Sequence, residues 1–164
     1  VGTMTGKTIT VGISDLNVAR SPDLLVTYAL GSCVGICLYD PVVKVAALLH
    51  ILLPLNMETG RKSPLKYADT GIRETLRQME LQGASRRRIV AKIAGGAKMF
   101  EIQGGGSLGN IGQRNIESVH HVLKQESIRL LREDVGGSQA RTLLFDVASG
   151  DGCVRSHGRP ELIF

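Results

Sequence analysis

Hydrophobic and polar positions change their spacing several times along this chain of 164 residues, and each spacing predicts a different element. Alternation over residues 8–14 predicts a strand, and the β-branched run over residues 24–30 predicts another, with a polar loop at 17–23 between them. Two strand-like runs, 33–40 and 44–54, flank an Asp-Pro turn signal, so we expect a β-hairpin there.

Apolar residues recur every three or four positions in two later segments, which is the spacing of one face of a helix. The first helix is predicted over residues 65–83, with Gly83 as its C-terminal stop, and the second over residues 111–128. The side chains predicted to face inward are Leu65, Ala68, Ile72, Leu76 and Met79 in the first helix, and Ile116, Val119, Val122 and Leu123 in the second.

Four more strands are predicted in the second half of the chain, at residues 87–95 and at about 127–134, 140–147 and 151–157. Glycines between the last three are typical of turns. The predicted eight strands and two helices do not alternate strictly, which argues against a doubly wound parallel sheet. The order favours an α+β fold with much antiparallel pairing and helices on the outside.

Composition limits the class of protein. Hydrophobic residues make up 43% and charged residues 21%, which predicts one soluble domain over residues 1–164, with residues 1–7 disordered. Aromatic residues are only 4%, so the chain offers few stacking platforms for nucleic acid, while a net charge of +5 favours an acidic partner. The apolar runs are too short for membrane insertion, and we expect a cytoplasmic protein with free thiols.

The predicted hairpin places a cysteine and a histidine opposite one another. With a two-residue turn, Asp40 pairs with Val43, and the same register pairs Cys33 with His50. Directly opposed residues point to the same face, with Cβ atoms about 4.5–5.5 Å apart. Because an imidazole can lower the pKa of a thiol and accept its proton, this pair predicts a cysteine nucleophile with a histidine base. The competing interpretation is that His50 is a satisfied histidine of the core.

The residues around this pair leave room for two kinds of site. Gly31 and Ser32 precede the cysteine, where glycine admits substrate close to the backbone and N–H groups can form an oxyanion hole. Alternatively, Cys33, Cys37 and His50 are soft metal ligands. The two sulfurs would lie about 13 Å apart along a strand, too far for one zinc ion, so we predict neither a metal nor another cofactor.

Other conspicuous residues are predicted to be structural. Cys37 and Cys153 are interpreted as small hydrophobic residues of the core. The pattern G-x-G-x-x-G at residues 104–109 is not followed directly by a helix, as a nucleotide site requires, and predicts a flexible or substrate-facing loop.

Seven stretches resemble the CheD family in order. They are TYALGSCVGICLYD, HILLP, KYADTGI, AKIAGGAKMF, IGQRN, EDVGG and LLFDVASG. The likeness runs from about Thr10 to Arg155, and the family's catalytic Thr, Cys and His fall on Thr27, Cys33 and His50. The resemblance implies a layered α/β/β sandwich of mostly antiparallel sheets with outer helices, similar to toxin-type cysteine deamidases.

Members of this family are chemoreceptor glutamine deamidases. The resemblance therefore implies a protein-glutamine glutaminase that converts receptor Gln side chains to Glu through a Cys thioester, without a cofactor, in chemotaxis adaptation. Some members also hydrolyse receptor methyl esters. The implied partners are methyl-accepting chemoreceptors and a CheC-type phosphatase, and a monomer is expected.

Two other functions stay open at this point. The chain could be a non-catalytic binding module that regulates the CheC-type phosphatase, with the thiol incidental. It could also be a cysteine hydrolase of another class, such as a peptidase, which would need an open cleft for a peptide backbone.

Overall fold

The computed structural model describes residues 6–55, 63–99 and 110–164. Within these ranges the strands are β1 Thr8–Val11, β2 Asp15–Arg20, β3 Leu24–Leu30, β4 Val34–Asp40, β5 Val45–Ile51, β6 Val90–Gly95, β7 Arg129–Val135, β8 Arg141–Asp146, β9 Gly152–Ser156 and β10 Arg159–Ile163. The α-helices are α1 Ala68–Leu81 and α2 Ile111–Gln125. Of the predicted disorder at residues 1–7, residues 1–5 lie outside the described residues, as does the glycine motif at 104–109, whereas Lys7 is described and its carbonyl accepts from Leu24 N at 2.9 Å.

The strands form two five-stranded sheets. The first sheet has the order β1-β3-β8-β9-β10, and the second has the order β2-β5-β4-β6-β7. The β1–β3 and β6–β7 pairs are parallel, and the other six pairs are antiparallel. The predicted α+β class with mostly antiparallel pairing is therefore confirmed.

The two sheets and the helices are stacked in three layers. Both helices pack on one face of the second sheet, where Ile36 and Leu49 contribute to an aliphatic core. The opposite face of that sheet packs on the first sheet, with Cys37 and Leu48 on one side and Phe145 on the other. Strands β4 and β5 are buried along their whole length because both of their faces are covered.

The two α-helices follow the predicted periodicity, with shorter bounds. Leu65 precedes α1, in a short 3-10 helix at Pro64–Lys66, and is partly buried. Gly83 follows α1 with a φ of 100°, which suits a helix stop. The other residues predicted to face inward are buried, namely Ala68, Ile72, Leu76, Met79, Ile116, Val119, Val122 and Leu123. None of the helices in the described part of the chain is long and apolar enough to cross a membrane.

Two strands were not predicted. The loop expected at 17–23 is wrong, because strand β2 occupies Asp15–Arg20 and pairs with β5 from Asp15↔His50 to Arg20↔Val45. Strand β10 is exposed at every residue and lies at the edge of the first sheet, so no alternation of polar and apolar residues marks it.

Candidate active site

The turn of the β4–β5 hairpin is longer than predicted. Asp40 pairs with Val45, so the predicted pairing of Asp40 with Val43 is wrong, and residues 41–44 form the turn. Lys44 closes this turn with a φ of 52°. A lysine in the left-handed region carries no signal in the sequence, whereas Asp-Pro suggests a tighter turn.

This register places Gly35, not Cys33, directly opposite His50. The shift is by two residues, and residues two apart on a strand point to the same face. Cys33, which lies just before β4, belongs with Cys37 to the core between the two sheets. Cys33 is therefore diagonal to His50 on the face that looks toward the first sheet. The structure leaves His50 fully buried and Cys33 7% exposed.

Gly35 makes room for the first sheet to approach His50. A Cβ atom at Gly35 would lie 3.0 Å from Leu143, 3.1 Å from Leu30 and 3.4 Å from the methyl group of Thr27. These distances are shorter than or at the limit of ordinary side-chain contact. The missing side chain thus allows β3 and β8 to pack closely against β4, and it brings Thr27 within reach of the histidine.

Thr27 of β3 fixes the tautomer of His50. The Thr27 Oγ1 atom lies 2.7 Å from the Val11 carbonyl oxygen and 2.7 Å from His50 Nδ1. A carbonyl can only accept, so the single hydroxyl proton goes to Val11, and the hydroxyl must accept a proton from Nδ1–H of His50. The proton of the neutral ring is then on Nδ1, and Nε2 carries the free lone pair.

The imidazole is neutral and its second nitrogen is available. Burial lowers the pKa of His50 from its ordinary value of 6.5 to about 4, because the charged ring would lose its hydration. No group in the described residues hydrogen-bonds Nε2, although the atom is buried. A buried acceptor without a partner is uncommon and needs an explanation. A role as general base is one explanation, because the free lone pair of Nε2 would accept a proton during the reaction.

The three cysteines differ in their surroundings. Burial raises the pKa of the Cys33 thiol, and the residue's own backbone N–H opposes this shift. Cys37 is 1% exposed, and burial raises its pKa to about 12, which confirms it as a core residue. Cys153 is also buried, as predicted. At neutral pH the site therefore holds a protonated thiol and a neutral imidazole.

Cys33 lies on the short segment that crosses from the first sheet to the second. Three successive carbonyl oxygens of this segment accept hydrogen bonds. Gly31 O accepts from Ala97 N at 2.8 Å, Ser32 O from Asn115 Nδ2 at 2.9 Å, and Cys33 O from Gly96 N at 2.8 Å. The backbone on both sides of the thiol is thereby held in place.

The N–H groups of the same segment point away from these contacts. In a planar trans peptide the C=O of one residue and the N–H of the next point in opposite directions. Ser32 N–H and Cys33 N–H therefore face away from β6 and α2, and neither donates to a backbone carbonyl of another described residue. Gly31 N–H, in contrast, donates to Ala29 O at 3.0 Å.

A bulge ends the regular part of β3 directly after Thr27. The pairing with β8 passes from Thr27↔Leu143 to Leu30↔Arg141, so β3 carries one extra residue. Ala29 takes up this residue with a φ of 58°, in the left-handed region that alanine rarely adopts. Bulges of this kind redirect a strand next to functional sites, and this one starts the crossing toward Cys33.

A groove of about 300 Å³ opens beside this bulge. Its lining includes Ala29, Arg141, Arg155 and His157. Arg141 pairs with Asp134 at 3.0 Å and Arg155 with Glu161 at 2.9 Å, so carboxylates balance both arginines of the lining.

Sequence reasoning missed Asn115, which bonds the crossing segment from α2. Its Nδ2 group donates to Ser32 O at 2.9 Å and to Leu52 O at 3.0 Å, and the residue is fully buried. The sequence did contain a signal, which is a polar amide on the apolar face of a helix. Asn115 lies one helical turn before the buried Val119 and two turns before the buried Val122.

The chain matches the family model described as CheD chemotactic sensory transduction over residues 52–156. It is 45% identical over 158 residues to the probable chemoreceptor glutamine deamidase CheD of Syntrophomonas wolfei, covering 96% of this chain and 98% of that protein. It is 46% identical over 153 residues to the protein of that name from Desulforamulus reducens, covering 93% and 92%. The corresponding figures for Clostridium tetani are 47% over 149 residues, covering 90% and 90%.

The similarities to these three relatives cover 90–96% of the chain and include the segments that carry Thr27, Cys33 and His50, whereas the family-model match begins after them, at residue 52. The family model matches well over half of the chain, from the end of β5 to the end of β9. The protein therefore belongs to the CheD family.

Proposed function

We propose that this protein is a chemoreceptor glutamine deamidase, with Cys33 as the nucleophile, His50 as the general base and Thr27 as the residue that orients His50. One observation supports it most: the Thr27 hydroxyl accepts from Nδ1 of a buried His50, which leaves an unprotonated Nε2 on the face that also carries Cys33. The names of the relatives support the substrate class.

The reaction proceeds in two halves. In the first half, the Cys33 sulfur attacks the carboxamide carbon of a receptor glutamine while the thiol proton passes to Nε2 of His50. The C–N bond then breaks, ammonia leaves with that proton, and a thioester remains. In the second half, His50 takes a proton from water, and the resulting hydroxide attacks the thioester. The C–S bond breaks and His50 returns its proton to the sulfur, which yields Glu and restores both the thiol and the neutral imidazole.

The neutral resting pair has a consequence for the first half. The pKa of Cys33 is raised and that of His50 is lowered, so the thiolate–imidazolium pair is unfavourable before substrate binds. Proton transfer therefore accompanies formation of the C–S bond. The negative oxygen that develops on the substrate needs donors, and we assign this role to the N–H groups of Ser32 and Cys33. A Cβ atom at Gly31 would lie 3.1 Å from the Met99 side chain, so this glycine makes room for Met99 beside the same segment.

Several finer features are part of the same proposal. The partners are methyl-accepting chemoreceptors and a CheC-type phosphatase, the protein works as a monomer in the cytoplasm, and receptor methyl esters are a second substrate. The chain forms one domain over residues 1–164, and its layered sheets are related to those of toxin-type cysteine deamidases. The basic net charge of +5 supports an acidic receptor partner.

The decisive experiment measures Gln-to-Glu conversion directly. A purified chemoreceptor cytoplasmic fragment is incubated with the protein, and peptide mass spectrometry maps each glutamine that gains about 1 Da. We expect conversion by wild type, and none above background with Cys33→Ala or His50→Ala. Cys153→Ala is the matched control, since it removes another buried thiol outside the site, and it should convert like wild type.

Two outcomes would contradict the proposal. Conversion that survives Cys33→Ala would exclude the thiol as nucleophile. A wild-type protein that converts no glutamine and yet binds a CheC-type phosphatase tightly would favour the binding module.

A further inference from the structure

Asn115 bonds two backbone segments that the proposed chemistry depends on. Its Nδ2 group donates to Ser32 O, next to the nucleophile, and to Leu52 O, two residues beyond the histidine. The side chain is fully buried, and its Oδ1 atom has no hydrogen-bond partner among the described residues. A buried amide that leaves its own acceptor unpaired is costly for stability alone, which suggests that its two donated bonds serve another purpose.

The bond to Ser32 O sets the direction of a single N–H group. The peptide plane between Ser32 and Cys33 contains both the Ser32 carbonyl and the Cys33 N–H, and in a trans peptide the two are opposed. When Asn115 holds the carbonyl toward α2, the Cys33 N–H must point away from α2. Without the hydrogen bond from Asn115, the Ser32–Cys33 peptide plane could rotate about its flanking bonds, and the Cys33 N–H would lose its fixed direction.

We propose that Asn115 is a positioning residue that keeps the Cys33 N–H aimed at the oxygen of the substrate carboxamide. This inference rests on the proposed deamidase function and extends it to a residue that never touches the substrate. Oxyanion donors act only as charge develops in the transition state, so Asn115 should affect kcat and leave KM nearly unchanged.

The test compares two reactions of the same thiol. Deamidation forms a negative oxygen, whereas alkylation of Cys33 by iodoacetamide displaces iodide and forms none. Asn115→Leu keeps the branched shape without a donor, and Asn115→Ala removes the amide altogether. Ser118→Ala is the matched control, because Ser118 also ties α2 to the segment after β5 through a 2.8 Å bond to Pro54 O.

We expect both Asn115 variants to lower kcat for the receptor fragment by about 10- to 100-fold, less than the loss of about 10²–10³ that follows removal of a whole oxyanion donor, because the Cys33 N–H stays present and only loses its fixed direction. Alkylation of Cys33, followed by peptide mapping, should slow by less than about threefold. Ser118→Ala should leave both rates within about twofold of wild type.

Three results would overturn the proposal. One is an unchanged kcat in a folded Asn115 variant, and another is an equal loss in deamidation and alkylation, which would indicate a displaced thiol. The third is that both Asn115 variants fail to fold while the Ser118→Ala variant folds, which would show that Asn115 serves the stability of the whole protein. A wild type that converts no glutamine is a different result, because it would refute the deamidase function and this inference together.

Discussion

Mild acid should destabilise this protein through His50. The pKa of His50 falls from 6.5 to about 4 on burial, so the unfolded chain binds more protons than the folded one between these pH values. The free energy of unfolding should therefore stay constant above about pH 7 and decrease as the pH falls through this window. Linkage gives a loss of about 2.5 kcal/mol between pH 7.5 and pH 4.5 for such a shift.

The assay is urea unfolding of wild type and His50→Gln at both pH values. Gln does not titrate, so the variant should lack this loss, and the difference between the two proteins isolates His50. The ion-paired carboxylates Asp40, Asp134, Glu74 and Glu161 also have lowered pKa values and lose stabilisation as the pH falls, but they are present in both proteins, so the comparison with His50→Gln cancels them. Equal losses in wild type and His50→Gln would refute the conclusion that His50 is buried as a neutral ring.

Three further predictions concern Thr27, Gly96 and the cysteines. Thr27→Val keeps the shape but removes the hydroxyl that accepts from His50. A buried hydrogen bond of about 1–3 kcal/mol corresponds to a loss of about 5- to 160-fold in kcat, whereas Thr27→Ser should retain most activity. Steady-state deamidation rates decide this, and full activity of the Val variant would contradict it. Gly96→Ala should lower the free energy of unfolding by about 1–3 kcal/mol, because φ is 68° and a Cβ atom would lie 2.4 Å from a side-chain atom of α2. Chemical denaturation measures this loss, and an unchanged free energy of unfolding would contradict the close packing of α2 on Gly96. Iodoacetamide at pH 8 should modify Cys33 in the native protein and Cys37 only after unfolding, since the Cys37 pKa of about 12 leaves a thiolate fraction of about 10⁻⁴. Peptide mapping of native and urea-treated protein measures the labelling, and equal labelling of the two cysteines in the native protein would contradict the prediction.

The fold was predictable where burial imposes a period on the sequence. The inward stripes of α1 and α2 and the apolar runs of β4 and β5 are predicted by their spacing because each packs against a core. Strand β10 has no buried face, and β2 is interrupted by polar residues, so their pairing comes from neighbouring strands and not from local patterning. Such tertiary effects do not appear in a short stretch of sequence.

The candidate site, like the fold, could be predicted only in part from the sequence. The turn prediction was wrong by two residues, yet Cys33 and His50 remain on the same face because a shift by two keeps the side-chain parity. Thr27 entered only through the family resemblance, since a threonine in another sheet cannot be linked to His50 from strand spacing. Asn115 was overlooked because hydrogen bonds to distant carbonyl groups leave no periodic signal.

The position of Thr27 on one sheet and of Cys33 and His50 at the other has a consequence for engineering. The proposed chemistry exists only while the two sheets keep their spacing, because Thr27 reaches His50 from the other sheet. A core substitution that moves one sheet by about 1 Å could cost about 10²-fold in rate with little effect on melting temperature. Turnover would then be a more sensitive gauge of inter-sheet spacing than thermal stability. Screens for robust variants of this protein should accordingly select on turnover, since a thermally stable chain with slightly displaced layers would pass any test of folding.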